Sequence, residues 1–413
     1  MTSESARHEP LSSYFTGIAV KRLTAVEINP NRSNQHELNG VQDLQRVFGE
    51  GRQTNIPASF VYLGESEEDT TGAQGFATWY DARENHPTRS EHRLYFAPNA
   101  AMEEAEEGDL IFICRRSDGT ALFVISRFGS SSANQLQWLF GLTVPQGGLR
   151  LQKFDDQEEG VDQPDFIRRA ILEQIGIEPA PVISEEYLPE LLNTFGSTFP
   201  TTRVFSNFAR STLSDVSAAD NPDEAIMSWM EREESLFRTL EWHIVSSRLE
   251  RGFGTNVDVF VEFSLSVHNR RKSRAGFALE NHLEQIFEES RIRFSRNKVT
   301  ERKSRPDFIF PGIVEYHNER FEASRLSMLG VKSTCKDRWR QVLPEAERIL
   351  SKHLFTLEPA ISGNQTSQMR AASLQLVLPS SLHSTYSPEQ RKWLMTLREF
   401  IELVRKRDLP STI

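Results

Sequence analysis

The sequence predicts a two-domain protein, a mainly β unit followed by an α/β unit. Three observations predict it. The chain has 413 residues, more than a single hydrophobic core usually serves. Its first third carries short apolar runs about ten residues apart, with Gly, Asn and Asp between them, which is the signature of a small barrel or sandwich. From about residue 200 the apolar period turns helical, and apolar strands then enter near Pro306 and Val331, as a mixed sheet flanked by helices requires.

Taken in order, strands are expected around residues 18–20, 59–63, 76–80, 92–96, 110–114 and 121–125, with a helix over 41–48. A serine-rich turn after Gly129 and an acidic stretch at 155–165 break that pattern. A short amphipathic helix over 165–175 precedes the proline-rich stretch 178–181, which reads as an extended hinge. The boundary falls near 180, giving units 1–180 and 181–413 with a hinge about 177–190. Ile226, Trp229, Met230, Leu236, Phe237 and Leu240 recur at helical spacing, between a start at Asn221 and Pro222 and a stop at Gly252. The basic run 269–276 leads into a further helix with Leu279, Leu283, Ile286 and Phe287 inward. Residues 354–357 and 374–378 add sheet. A closing helix over 388–405 turns Trp393, Leu397, Phe400, Ile401 and Val404 to the core.

Composition narrows the function. With 38% hydrophobic and 26% charged residues, the chain has the balance of an ordinary soluble globular protein. No apolar run approaches the roughly 18 residues of a membrane span, and residues 1–10 lack a basic patch followed by an apolar stretch. Two cysteines, Cys114 and Cys335, without CxxC spacing, point to a reducing cytoplasm and no zinc site. The net charge of −10 excludes a protein that coats nucleic acid along its whole surface. Yet residues 268–305 hold 11 Lys or Arg against 5 Glu. A local basic surface therefore precedes the most chemically suggestive segment.

That segment runs from Pro306 to Glu345. Asp307 enters one apolar strand, a second delivers Lys332, and a basic segment of helical spacing follows with Lys336, Asp337, Arg338, Trp339 and Arg340. Phosphodiester hydrolysis needs hard oxygen ligands for a divalent metal and a cation for the charge that builds on phosphorus. Asp307 and Glu345 are the candidate ligands, and Lys332 the candidate charge stabiliser. Taken singly, Asp307 is a turn former and Lys332 a strand exit; together with Glu345 they read as a site.

The segment resembles the catalytic core of EcoRII-like type II restriction endonucleases, within the PD-(D/E)xK nuclease superfamily. The resemblance rests on GVKSTCKDRWRQVLPEAE at 330–347, HNRRKSRAG at 268–276 and HLFTL at 353–357. Gly330 stands where the superfamily usually has an acidic residue, two before the lysine, and Glu345 occupies the downstream place used in the CC…GG-cutting branch. The resemblance implies a restriction-endonuclease-like mixed sheet and Mg²⁺ held by Asp307 and Glu345 with Glu280. It implies Lys336 and Tyr316 near the scissile phosphate. It also implies DNA contacts from Arg270, Arg271, Lys272, Arg274, Asp337, Arg338 and Arg340, with Arg338 and Asp337 reading guanine and cytosine edges.

The first unit resembles the same family's DNA-binding pseudobarrel effector domain. His36, Arg89, Glu91, His92 and Arg93 fall on its cleft positions, while Pro87 and His92 replace expected lysines. The implied protein is a type IIE enzyme. It cuts double-stranded DNA at a CCWGG- or CCNGG-like target, binds a second site as effector, and is autoinhibited until then. A homodimer and a cognate DNA methyltransferase are the implied partners. A non-cleaving DNA-binding regulator and a structure-specific repair nuclease remain as alternatives; loss of function on Asp307→Ala discriminates the first, and dependence on a CC…GG sequence the second.

Overall fold

Apolar alternation in the first unit is satisfied by one curled eight-stranded sheet. In the computed structural model, which describes residues 10–28, 37–40, 42–65, 69–144, 148–153, 163–180, 183–336 and 338–409, its strands are β1 (Phe15–Arg22), β2 (Glu37–Gly40), β3 (Gln53–Leu63), β4 (Thr70–Asp81), β5 (His92–Phe96), β6 (Leu110–Arg116), β7 (Ala121–Ser126) and β8 (Leu149–Lys153). They are ordered β2-β5-β4-β3-β7-β6-β1-β8, antiparallel except where β3 runs parallel to β7. The ends β2 and β8 do not pair, so the sheet curls without closing. This is the pseudobarrel.

The near-continuous apolar runs of β6 and β7 have a physical reason: both faces are covered. Ile111, Ile113, Phe123 and Ile125 point into the barrel with Phe60, Trp79 and Phe96. Phe112, Cys114, Leu122 and Val124 point the other way, into a cluster that continues through helix Ser131–Phe140 to the second sheet.

That second sheet is β13-β12-β11-β10-β9, with β9 (Ser295–Arg296), β10 (Phe308–Phe310), β11 (Ser327–Val331), β12 (Lys352–Phe355) and β13 (Leu374–Val377). β10 is antiparallel to β9 and β11, whereas β11, β12 and β13 run parallel, so the sheet is mixed. Phe287 from helix Val257–Glu289 and Phe400 from helix Leu397–Asp408 lie 5.2 and 5.5 Å from the Phe310 ring and close one face. A third cluster, Leu191, Phe205, Leu236, Phe237 and Leu240, knits helices Leu188–Phe195, Thr202–Ser211 and Pro222–Arg251 together.

Three local expectations need correction. The basic run 269–276 does not precede a helix; it lies inside the 33-residue helix Val257–Glu289, because Arg, Lys, Ser and Ala propagate a helix and Gly276 alone does not break it. The segment after Lys332 is not an α-helix but an irregular loop ending in a short 3-10 turn, Arg338–Val342. Trp339 and Val342, three residues apart, are both buried, and a three-residue period suits that tighter turn. The closing helix splits into Pro388–Arg391 and Leu397–Asp408, with Thr396 and Glu399 forming a capping box on the second. No helix among the described residues is long and apolar enough to cross a membrane.

Candidate active site

Sheet register brings the distant residues together. Phe308 of β10 faces Leu329 of β11, so Asp307, one step earlier, comes level with Gly330. The Val331 N–H donates to Asp307 Oδ2 at 2.7 Å, and Lys332 Nζ stands 3.7 Å from the same oxygen. Lys332 is fixed in turn by its own N–H, which donates to the Phe355 carbonyl of β12 at 3.0 Å. After the Arg338–Val342 turn the chain comes back: the Glu345 N–H donates to the Val342 carbonyl at 3.2 Å. Glu345 Oε2 is buried and accepts no hydrogen bond among the described residues.

The electrostatics follow from this crowding. Burial pushes the Asp307 carboxyl up, against the pull of Lys332 and the Val331 N–H. Burial, and then the charge of Asp307, push Glu345 to about 7. Both carboxyls stay lifted although Lys332 pulls on each, with Arg296 also drawing on Asp307 and Lys352 on Glu345, so the nearby cations do not offset their burial. With hard oxygen donors and a buried oxygen wanting a partner, Asp307 and Glu345 fit a divalent cation.

Glu280 does not join them at close range. Its Oε2 accepts from Arg296 Nη2 at 2.9 Å and from Asn297 Nδ2 at 3.4 Å, although its charge still reaches Asp307. Among the described residues no three His, Cys, Asp or Glu side chains converge as a metal cluster. Arg296, which the sequence reading missed, thus anchors Glu280.

Other expected residues are placed as follows. Tyr316 is fully buried, and its hydroxyl donates to Glu301 at 2.6 Å. Lys336 is buried, close enough to Glu358 to pull that carboxyl down against its burial. Arg274 is buried and ion-paired with Glu233 and Glu234, Arg271 donates to Glu241 at 2.8 Å, and Arg270 covers the Phe199 ring at 4.5 Å. These three arginines of the basic run each have a partner within the protein. Arg338 is exposed at the start of the 3-10 turn, and Arg340, also exposed, donates to Gln368 at 2.7 Å. Trp339 packs inside.

On the pseudobarrel, Arg93 spans Glu37 at 2.6 Å and Glu91 at 2.8 Å, while Arg83, which the sequence reading missed, holds Glu91 at 2.6 Å. These two arginines keep the Glu91 carboxyl below the usual range. Arg89 is exposed. His92 faces inward, stacked on Trp79 at 5.0 Å with its Nδ1 2.6 Å from Gln45 Nε2, so its place is structural. His36, Asp337 and the side chain of Lys272 lie outside the described residues.

The chain is similar to known proteins over much of its length. The family described as EcoRII C terminal matches residues 237–401. The type II restriction enzyme EcoRII of Escherichia coli is 35% identical over 325 residues, 70% of this chain and 79% of that protein. Among solved structures, metal-depleted Ecl18kI in complex with uncleaved, modified DNA has a TM-score of 0.44 at 19% identity, covering 55% of this chain and 86% of that one. A restriction endonuclease PspGI–substrate DNA complex has a TM-score of 0.43 at 14% identity, covering 51% and 93%. On the strength of its identity to EcoRII, the chain belongs to the EcoRII family of type II restriction endonucleases and is a site-specific deoxyribonuclease.

Proposed function

We propose that this enzyme is a Mg²⁺-dependent, type IIE-like endonuclease that hydrolyses duplex DNA at a CCWGG- or CCNGG-like site. The reading gives residues 181–413 the cutting and residues 1–180 the binding of a second copy of the site. The observation that carries it is Lys332 lying 3.7 Å from Asp307, with both acting on the Glu345 carboxyl, three residues from separate points of the chain.

Asp307 and Glu345 would hold the cation, which when bound supplies charge neutralisation and Lewis acidity at the phosphate. Lys332 keeps its ammonium beside Asp307 and faces the charge that develops on the phosphoryl oxygens during water attack. Arg338, exposed at the head of the turn, can fork onto guanine acceptors, with Asp337 taking the cytosine amino donors. Cutting both strands calls for two such pockets, hence a two-fold homodimer. A cognate DNA methyltransferase would protect the host's own sites.

Autoinhibition has support in the contacts between the two units. Gln135 Nε2 of helix Ser131–Phe140 donates to Glu358 Oε1 at 2.8 Å, and the other oxygen of Glu358 accepts the Cys335 N–H. Ser131 Oγ donates to Gln365 Oε1 at 2.8 Å, while Gln365 Nε2 donates to the Lys336 carbonyl at 3.2 Å. The first unit thus grips the loop between Lys332 and Arg338. The boundary near 180 gains support from the end of the first sheet at Lys153, although helix Asp165–Gln174 already leans on the second unit through Glu173 and Arg238 at 2.9 Å.

The test is digestion of a plasmid carrying CCNGG variants with Mg²⁺, with and without a short effector duplex. Cutting should be confined to one variant class, stimulated by the duplex, and abolished by Lys332→Ala. Indiscriminate or metal-independent cutting refutes the reading.

A further inference from the structure

Gly330 is the one glycine within strands β10 and β11, and its backbone does not require a glycine. It lies inside β11, fully buried, and is absent from the glycines with left-handed φ, so any residue could adopt its conformation. Space forbids one. A Cβ built at 330 would lie 2.8 and 2.9 Å from the two γ-methyls of Val342. Those methyls sit on a stiff, β-branched, fully buried side chain, so no flexible end can swing aside. Any side chain at 330 has to move the turn itself.

That turn carries the second carboxylate. Val342 ends the 3-10 segment Arg338–Val342, and its carbonyl accepts the Glu345 N–H, so a shift at Val342 is passed on to Glu345. We propose that Val342 is a positioning residue of the active site: seated on the bare Cα of Gly330, it fixes where the turn stands on β11 and thereby holds Glu345 beside Asp307. The same contact explains two departures at once. An acidic side chain two residues before Lys332 is excluded because Val342 occupies its space, and the residue that excludes it delivers the substitute carboxylate. The inference rests on the reading of Glu345 as a cation ligand.

The test compares full-length Glu345→Gln, Gly330→Ala, Val342→Ala and Gly330→Ala/Val342→Ala with the parent. It measures the rise in Tm produced by Mg²⁺ or Ca²⁺, and single-turnover cleavage at saturating Mg²⁺. Gly330→Ala should raise the metal concentration for half-maximal stabilisation about tenfold and slow cleavage by a similar factor, the usual cost of disturbing a residue that orients a metal ligand. Val342→Ala should do so less. The double variant, in which the new methyl fills the space the lost methyls leave, should recover to within about threefold of the parent, a coupling expected only of residues in contact. If Gly330→Ala does not fold, the comparison of the double variant with Val342→Ala decides. A double variant no better than Val342→Ala, or a Gly330→Ala protein with the parent's metal response, overturns the inference. An unaltered metal response in Glu345→Gln instead removes the reading on which it rests.

Discussion

Two groups of buried charge in the second unit are built from the same residue types and behave in opposite ways. Between helices Pro222–Arg251 and Val257–Glu289, the carboxylates Glu233, Glu234 and Glu241 are met by Arg274, Arg238 and Arg271, and His282 stands 2.9 Å from Glu233. Burial alone would lift the Glu233 carboxyl, but His282 and Arg274 hold it below the usual range. In the pocket, Lys332 draws on both Asp307 and Glu345, with Arg296 on the first and Lys352 on the second, yet both carboxyls are lifted. A buried cluster with cations enough to match its carboxylates is scaffold; one short of positive charge is a place where positive charge has yet to arrive.

The contrast is sharpest under substitution. Lys332→Ala should cut the cleavage rate by about 10²–10³-fold, the usual loss when one charge-stabilising donor is removed from a transition state. It should leave Tm near the parent's, since Lys332 keeps partial exposure. Arg274→Ala should do the reverse. Stripping the partner from buried Glu233 costs about 3–5 kcal/mol of stability, read by urea denaturation, with the cleavage rate per folded molecule little changed. If Arg274→Ala instead folds normally and binds DNA poorly, the basic run does touch the phosphate backbone and the division between scaffold and site is wrong.

What a sequence window shows of the run 269–276 follows from the same contrast. Its arginines are visible locally, but their partners lie far back along the chain: Glu234 is 40 residues before Arg274 and Glu241 is 30 before Arg271. Charge counted in a window cannot see them. Asp307 and Lys332, by contrast, were legible because each stands at the end of an apolar run whose strand period fixes the pairing. Glu345 was legible as a residue but not as a turn. Nor does anything local reveal Glu301, 15 residues earlier, as the acceptor of the Tyr316 hydroxyl. The long apolar strands were legible, and the short strands β2, β8 and β9 with few apolar residues were not.

The raised carboxyls give the comparison a pH axis. Glu345 titrates near 7 in the fold against an ordinary 4.5, so it adds stability to the metal-free protein below its ordinary value and loses that contribution as pH rises through about 7. A cation must displace that proton. The Tm rise caused by Mg²⁺ should therefore be small at pH 6 and full at pH 8, with apparent affinity falling about tenfold per unit below the pair's titration. Glu345→Gln should flatten the curve. Glu233, held low, predicts no metal-linked change in that range from the scaffold cluster.

The smallest expected effect tests whether the loop between the pocket and Arg338 is held from outside. Gln135 and Ser131 reach it through Glu358 and Gln365, and Glu358 is a carboxyl that burial lifts and the Cys335 N–H and Gln135 draw back. A buried hydrogen bond to such a group contributes about 1.5 kcal/mol, so its loss shifts a docked-to-undocked equilibrium roughly tenfold. Ser131→Ala/Gln135→Ala should accordingly speed cutting of single-site DNA by up to that factor, and by much less once effector duplex is present, because both routes release the same loop. Equal acceleration with and without the duplex would mean that the contacts act on the chemistry itself. No acceleration at all would mean that they serve the shared core of the two units and carry no inhibition.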